Sequence, residues 1–165
     1  MRVLMVCLGN ICRSPTAHGV FEALLLQRGL ASQFYIDSAG TADYHIGKTP
    51  DLRTIDAAAK RGYDLSQLVA RQISSEDLEI FDYIFAMDAE NLQVVESLKS
   101  QTNSRQPREL GLFLSLSEEG MDNVPDPYYR GEEGFELVLD LIEAASERWL
   151  HKITGELNLS PIKGR

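Results

Sequence analysis

The sequence predicts an α/β fold, a doubly wound three-layer α/β/α sandwich with a central parallel sheet of about four strands. Three observations carry this reading. The 165 residues suit a single domain spanning 1–165. Short continuous apolar runs, such as Val3-Leu4-Met5-Val6, suit strands covered on both faces. Segments of helical period alternate with those runs along the chain, the pattern of a parallel sheet wrapped by helices.

The first strand is the run Val3 to Val6. Ser14 and Pro15 then read as a helix start, with serine as N-cap and proline at the first helical position. Ala17, Val20, Phe21, Leu24 and Leu25 follow at helical spacing, and Gly29 is placed to end the helix. Phe34-Tyr35-Ile36 reads as the next strand and runs out into Asp37-Ser38-Ala39-Gly40-Thr41. A β-α-β unit of this size makes a right-handed crossover between parallel strands. A helix is expected from Leu52 to Lys60, stopped near Gly62, and Ser74 or Ser75 is placed to cap a short helix through Leu78. The segment from Ile80 to Met87 contains a strand, a helix covers Asn91 to Lys99, and a further strand falls near Glu109 to Phe113. In the last helix Phe135, Val138, Leu139, Ile142, Ala145 and Trp149 form one apolar face. Ligands of such folds sit beyond the carboxyl ends of the strands, where the strand order reverses. The loop after the first strand lies at such an end.

Composition narrows the function. Hydrophobic residues make up 44% and charged residues 25%, enough for an ordinary core. The net charge of -9 argues against nucleic acid, which needs a basic face. A small anionic substrate stays open, because a local pocket can be positive on an acidic protein. No apolar run approaches the roughly 18–20 residues that span a bilayer, so no membrane partner is expected. The opening MRVLMVCLGN is too short and too soon interrupted for a signal peptide. The expected location is cytoplasmic, where thiols stay reduced. Two cysteines cannot form a structural zinc site alone, and His18, His45 and His151 are scattered, so no metal or other cofactor is expected.

Both cysteines fall in one stretch, Val6-Cys7-Leu8-Gly9-Asn10-Ile11-Cys12-Arg13-Ser14-Pro15. Cys7 stands where strand meets helix. The helix N-terminus offers free amides and partial positive charge, and Arg13 adds a full charge. Both favour negative charge on the sulfur. The five residues between Cys7 and Arg13 can wrap into a cradle of inward N–H groups, with Gly9 and Asn10 tolerating its tight backbone. A tetrahedral dianion fits such a cradle, held by the amides of Leu8, Gly9, Asn10, Ile11 and Cys12 and by the Arg13 fork. The Cys7 sulfur would then be placed for in-line attack on phosphorus, and Ser14 could hydrogen-bond it as a leaving group. Either residue has a plainer reading alone: Cys7 as a small buried hydrophobe, Arg13 as a surface charge.

The stretch VCLGNICRSP resembles the signature loop of the low-molecular-weight protein tyrosine phosphatases. Asp37-Ser38-Ala39-Gly40-Thr41 is similar to the second loop of that family, whose serine braces the asparagine of the phosphate loop. The segments from Asp82 to Asp88 and from Val124 to Tyr129 resemble its central strand and its general-acid loop. The resemblance implies hydrolysis of phosphotyrosine in proteins, or of small aryl phosphates, through a cysteinyl-phosphate on Cys7. Asp126 would be the general acid and base, with Pro125 and Pro127 restricting its backbone. No metal is needed, since Arg13 and the loop amides offset the developing charge. Tyr44, Tyr128 and Tyr129 are expected to wall an aromatic slot, with ordinary half-exposed packing as the alternative.

Two departures stand out. Many family members carry a histidine near the stretch Gln67-Leu68-Val69-Ala70-Arg71-Gln72 that bonds the loop asparagine, and here there is none. Asn10 must be braced otherwise, with Ser38 the best candidate. His18 stands where many relatives have glutamate and reads as an exposed substitution without catalytic role. An arsenate reductase on the same fold would need a relay of further cysteines, which this chain lacks. A protein-arginine phosphatase tends to carry threonine where this chain has Ile11. A binding module without turnover would not need Cys7, Arg13 and Asp126 together. Cys12 has two open readings, a redox partner that forms a disulfide with Cys7 and shields it from over-oxidation, or a residue packed under the loop. Exposed tyrosines would permit weak self-association of an otherwise monomeric chain.

Overall fold

The computed structural model describes residues 1–161. Four strands, β1 (Arg2–Cys7), β2 (Tyr35–Gly40), β3 (Tyr83–Ala86) and β4 (Glu109–Leu112), form one sheet in the order β2-β1-β3-β4. All three pairings are parallel. The chain steps outward from β1 to β2, then returns to the other side of β1 for β3 and β4. The order therefore reverses at β1 and β3, and their carboxyl ends meet at the reversal.

The helices are α1 (Arg13–Gln27), α2 (Leu52–Lys60), α3 (Asp77–Ile80), α4 (Ala89–Ser100) and α5 (Glu132–Leu157), with a 3-10 turn at Ala31–Gln33. Alternation within β1 shows why both faces need cover. Val3, Met5 and Cys7 point into the core shared with α1, α2 and α5. Leu4 and Val6 point the other way, against Ile73, Leu78, Phe81 and Val95. Trp149 of α5 is 1% exposed, stacks 4.3 Å from Phe85 of β3, and donates its indole N–H to the Phe113 carbonyl at 2.8 Å. Full burial of side chains of this size stabilises by about 1.5–3 kcal/mol each. Among the described residues no helix is long and apolar enough to cross a membrane.

Element boundaries differ from expectation where side chains have other tasks. Ser14 does not cap α1: the helix begins at Arg13, Cys12 occupies the cap position, and no side chain caps it. The Ser14 hydroxyl is engaged instead with Cys7 and Asn10. Neither Ser74 nor Ser75 is the cap of α3, which starts at Asp77. There the Asp77 carboxylate accepts from the Ser74 N–H at 2.9 Å. By contrast α2 spans the expected residues, with Asp51 accepting from the Arg53 N–H and Gly62 at φ 88 beyond its end.

Candidate active site

The loop between β1 and α1 folds around the Cys7 sulfur. The Asn10 N–H donates to Cys7 Sγ at 3.3 Å, and Ser14 Oγ lies 3.0 Å from the same sulfur. Asn10 has φ 56, a left-handed conformation that asparagine tolerates. Its side chain spans the loop: Nδ2 donates to Ser14 Oγ at 2.7 Å, and Oδ1 accepts from the Arg71 N–H at 3.0 Å. Gly9 is not among the glycines with positive φ. A Cβ there would stand 2.9 Å from His45 Cδ2.

The end of β2 supports this loop from beneath. Thr41 N–H donates to the Cys7 carbonyl at 2.9 Å and Ala42 N–H to the Leu8 carbonyl at 3.0 Å. A Cβ on Gly40 would lie 2.7 Å from the Leu8 carbonyl oxygen. Contact this close leaves no room for a side chain.

Arg13 is 3% exposed. Its Nη1 donates to Asp88 Oδ2 at 2.5 Å and to the Val124 carbonyl at 3.1 Å. Its Nη2 lies 3.9 Å from Asp126 Oδ2. Burial works against the guanidinium charge, but the Cys7 sulfur and the bond to Asp88 outweigh it and hold the Arg13 pKa above its ordinary value. Asp88 follows β3 and serves two groups at once. Its other oxygen, Oδ1, accepts from the Asn91 N–H at 2.8 Å and caps α4.

Asp126 stands between its two prolines with its side chain 45% exposed. Oδ1 accepts from the Tyr128 N–H at 3.0 Å, which leaves Oδ2 facing Arg13 and the cavity. That cavity, about 320 Å³, has the buried Cys7 and Arg13 at its base and is lined further by Asp126, Tyr44, His45, Tyr128 and Tyr129 and by the loop residues between Cys7 and Arg13 other than Asn10. Tyr128 is anchored, because Arg53 donates to its carbonyl at 2.9 Å and lies 5.1 Å from its ring centroid. Tyr129 is 93% exposed and meets Tyr128 edge-on at 4.9 Å. Cys12 is 5% exposed, and burial pushes its thiol up to about 12, with Asp51, Cys7 and Asp126 adding to the shift.

Two expectations change here. Asn10 is braced by Ser14 and by the Arg71 backbone, while the Ser38 hydroxyl lies 3.1 Å from His18 Nδ1. His18 is not exposed: it is 7% exposed and fixed at both ring nitrogens, the second meeting Glu22 Oε1 at 2.9 Å. The sequence reading missed Asp88, Arg71, Arg53 and His45. For Asp88 a signal existed, since Asp is a favoured N-cap and stands directly after a buried strand, just ahead of the expected helix.

The family model of the low molecular weight phosphotyrosine protein phosphatases matches residues 2–159. The low molecular weight protein-tyrosine-phosphatase YfkJ of Bacillus subtilis is 41% identical over 157 residues, 95% of this chain and 98% of that one. The low molecular weight phosphotyrosine protein phosphatase of Homo sapiens is 37% identical over 150 residues, 91% of this chain and 94% of that one. The crystal structure of a Drosophila arginine phosphatase matches with a TM-score of 0.86 at 33% identity, over 93% of this chain and 98% of that one. The chain is an enzyme that belongs to the low molecular weight phosphotyrosine protein phosphatase family.

Proposed function

We propose that this phosphatase hydrolyses phosphotyrosine in proteins, and small aryl phosphates, in two steps through a cysteinyl-phosphate. Cys7 Sγ attacks phosphorus while the P–O bond to the phenol breaks, and Asp126 gives its proton to the departing oxygen. Water then attacks phosphorus, Asp126 takes its proton, and the electron pair of the P–S bond returns to sulfur. Arg13 and the loop amides offset the charge on the equatorial oxygens. The observation that carries the reading is the sulfur at the cavity base, in contact with Asn10 N–H and Ser14 Oγ, beside an aspartate with one oxygen left free. The aromatic mouth of Tyr44, Tyr128 and Tyr129 supports a phenyl substrate.

Hydrolysis of p-nitrophenyl phosphate tests the nucleophile. Cys7→Ser should lose activity by about a thousandfold or more, and an active variant would overturn the assignment. The resemblance to an arginine phosphatase makes phosphoarginine the informative competitor. Phosphotyrosine should exceed phosphoarginine and arsenate in kcat/KM, and the reverse order would replace the proposed substrate. We further propose that peroxide oxidises Cys7 to the sulfenic acid, that the Cys12 sulfur then attacks the Cys7 sulfur and water is lost, and that a thiol reductant reopens the resulting disulfide.

A further inference from the structure

His18 is a buried titratable group that the two-step chemistry does not use. It lies one helical turn beyond Ser14 on the same face of α1, and it faces the same strand end. Two contacts, a turn apart, join α1 to β2. The Ser14 hydroxyl lies 3.4 Å from the Ala39 carbonyl, and the His18 ring lies 3.1 Å from Ser38 Oγ. Ser38 and Ala39 are consecutive in β2, and both are buried.

Both ring nitrogens of His18 have partners. Glu22 as a carboxylate only accepts, so His18 Nε2 carries a proton. The other ring nitrogen, Nδ1, lies 3.1 Å from Ser38 Oγ, and the bond joins the two side chains whichever atom donates. Ser38 is thereby fixed to α1. The Ala39 carbonyl, one residue on, is held 3.4 Å from Ser14 Oγ, at the far edge of hydrogen-bond range. Ser14 has one proton and already accepts from Asn10 Nδ2. Its proton can go to Ala39 or to the Cys7 sulfur at 3.0 Å, and the spacing decides between them.

On the reading that Cys7 carries the phosphoryl group, we infer that His18 is a positioning residue. Through Ser38 it holds the end of β2 at the distance that commits the Ser14 proton to the sulfur. This acts in the second step. Water attacks phosphorus, its proton passes to Asp126, the P–S bond breaks, and the electron pair goes to sulfur, where the Ser14 O–H stabilises it. Formation of the cysteinyl-phosphate depends on Arg13, the loop amides and Asp126, and is little affected.

Wild type and Cys7→Ser first establish turnover of p-nitrophenyl phosphate through Cys7, which settles the underlying reading separately. Stopped-flow traces are then taken for His18→Gln, His18→Asn and Ser38→Ala. Glutamine puts its polar end near the place of Nε2 and keeps Glu22, whereas asparagine puts its end near Nδ1 and keeps Ser38. His18→Gln and Ser38→Ala should each lower kcat about tenfold, with kcat/KM changed less than about threefold and a visible burst of p-nitrophenol. His18→Asn should stay within about threefold of wild type. The double variant that carries both His18→Gln and Ser38→Ala should be no slower than either single one. Parallel losses in kcat and kcat/KM would overturn the inference. So would equal effects of asparagine and glutamine, or normal turnover in Ser38→Ala, which keeps the test open if the His18 variants do not fold.

Discussion

Cys7 and Cys12 lie five positions apart in one loop, yet their surroundings divide the work between them. Cys7 Sγ meets an amide N–H and a hydroxyl at the cavity base, while burial holds the Cys12 thiol near 12. At pH 7 the Cys12 thiolate is therefore a small minority species. This sets a sign for the proposed disulfide. A raised pKa means that the attacking thiolate becomes commoner as pH rises. Capture of oxidised Cys7 should therefore accelerate about tenfold per pH unit between roughly pH 7 and 9. Peroxide treatment followed by a timed thiol-alkylation quench measures it, and a pH-independent rate would remove the Cys12 thiolate from the step. Cys7, Arg13 and Asp126, which the structure gathers around one cavity, were legible because they sit in short local patterns. Their supports were not, because Arg13 finds Asp88 75 positions away and Asn10 finds Arg71 61 positions away. His18 misleads for the same reason. Its partner Ser38 comes from a different element, and nothing local to α1 announces the contact.

At the scale of elements, Asp88 joins a strand end, a helix start and the buried arginine of the site. Its two oxygens divide these tasks between α4 and Arg13. Substitution can separate them. Asp88→Asn keeps an acceptor for the Asn91 N–H but removes the charge beside Arg13. It should leave thermal stability within about 1 kcal/mol of wild type, since asparagine caps as well as aspartate. Activity toward p-nitrophenyl phosphate should fall about tenfold or more, because the guanidinium loses its partner. Calorimetry with kinetics on the same sample checks both, and unchanged kinetics would mean that Val124 alone orients Arg13. The strands and helices themselves were largely legible, since period and breakers are local. The α2 boundaries agree with the sequence reading to the residue. The α1 start does not, because Ser14, the best capping residue in the stretch, is used by the site.

For the molecule as a whole, a net charge of -9 sets the terms. Acidic side chains must be managed wherever elements converge, and Arg61 beyond the end of α2 does so for α5. It pairs with Glu136, Asp140 and Glu143, and these contacts hold its pKa above the ordinary value. Arg61→Gln would leave three carboxylates facing one another on two turns of helix. The expected loss is about 1 kcal/mol at low salt. It should shrink in 1 M salt, where screening acts over about 3 Å. Denaturant melts at the two salt concentrations test this, and a salt-independent deficit would place the effect in packing.

The contact beneath the phosphate loop has a practical side. Gly40 presses against the Leu8 carbonyl, and Thr41 and Ala42 bond the loop carbonyls, so nothing can be enlarged beneath the loop. Tyr128 is tied down on one side by Arg53. Tyr129, almost wholly exposed, meets only the edge of Tyr128. A chemist designing an inhibitor gains nothing by elaborating the group that sits on the loop, and would grow the molecule outward instead, past Tyr129 and His45, where the cavity opens.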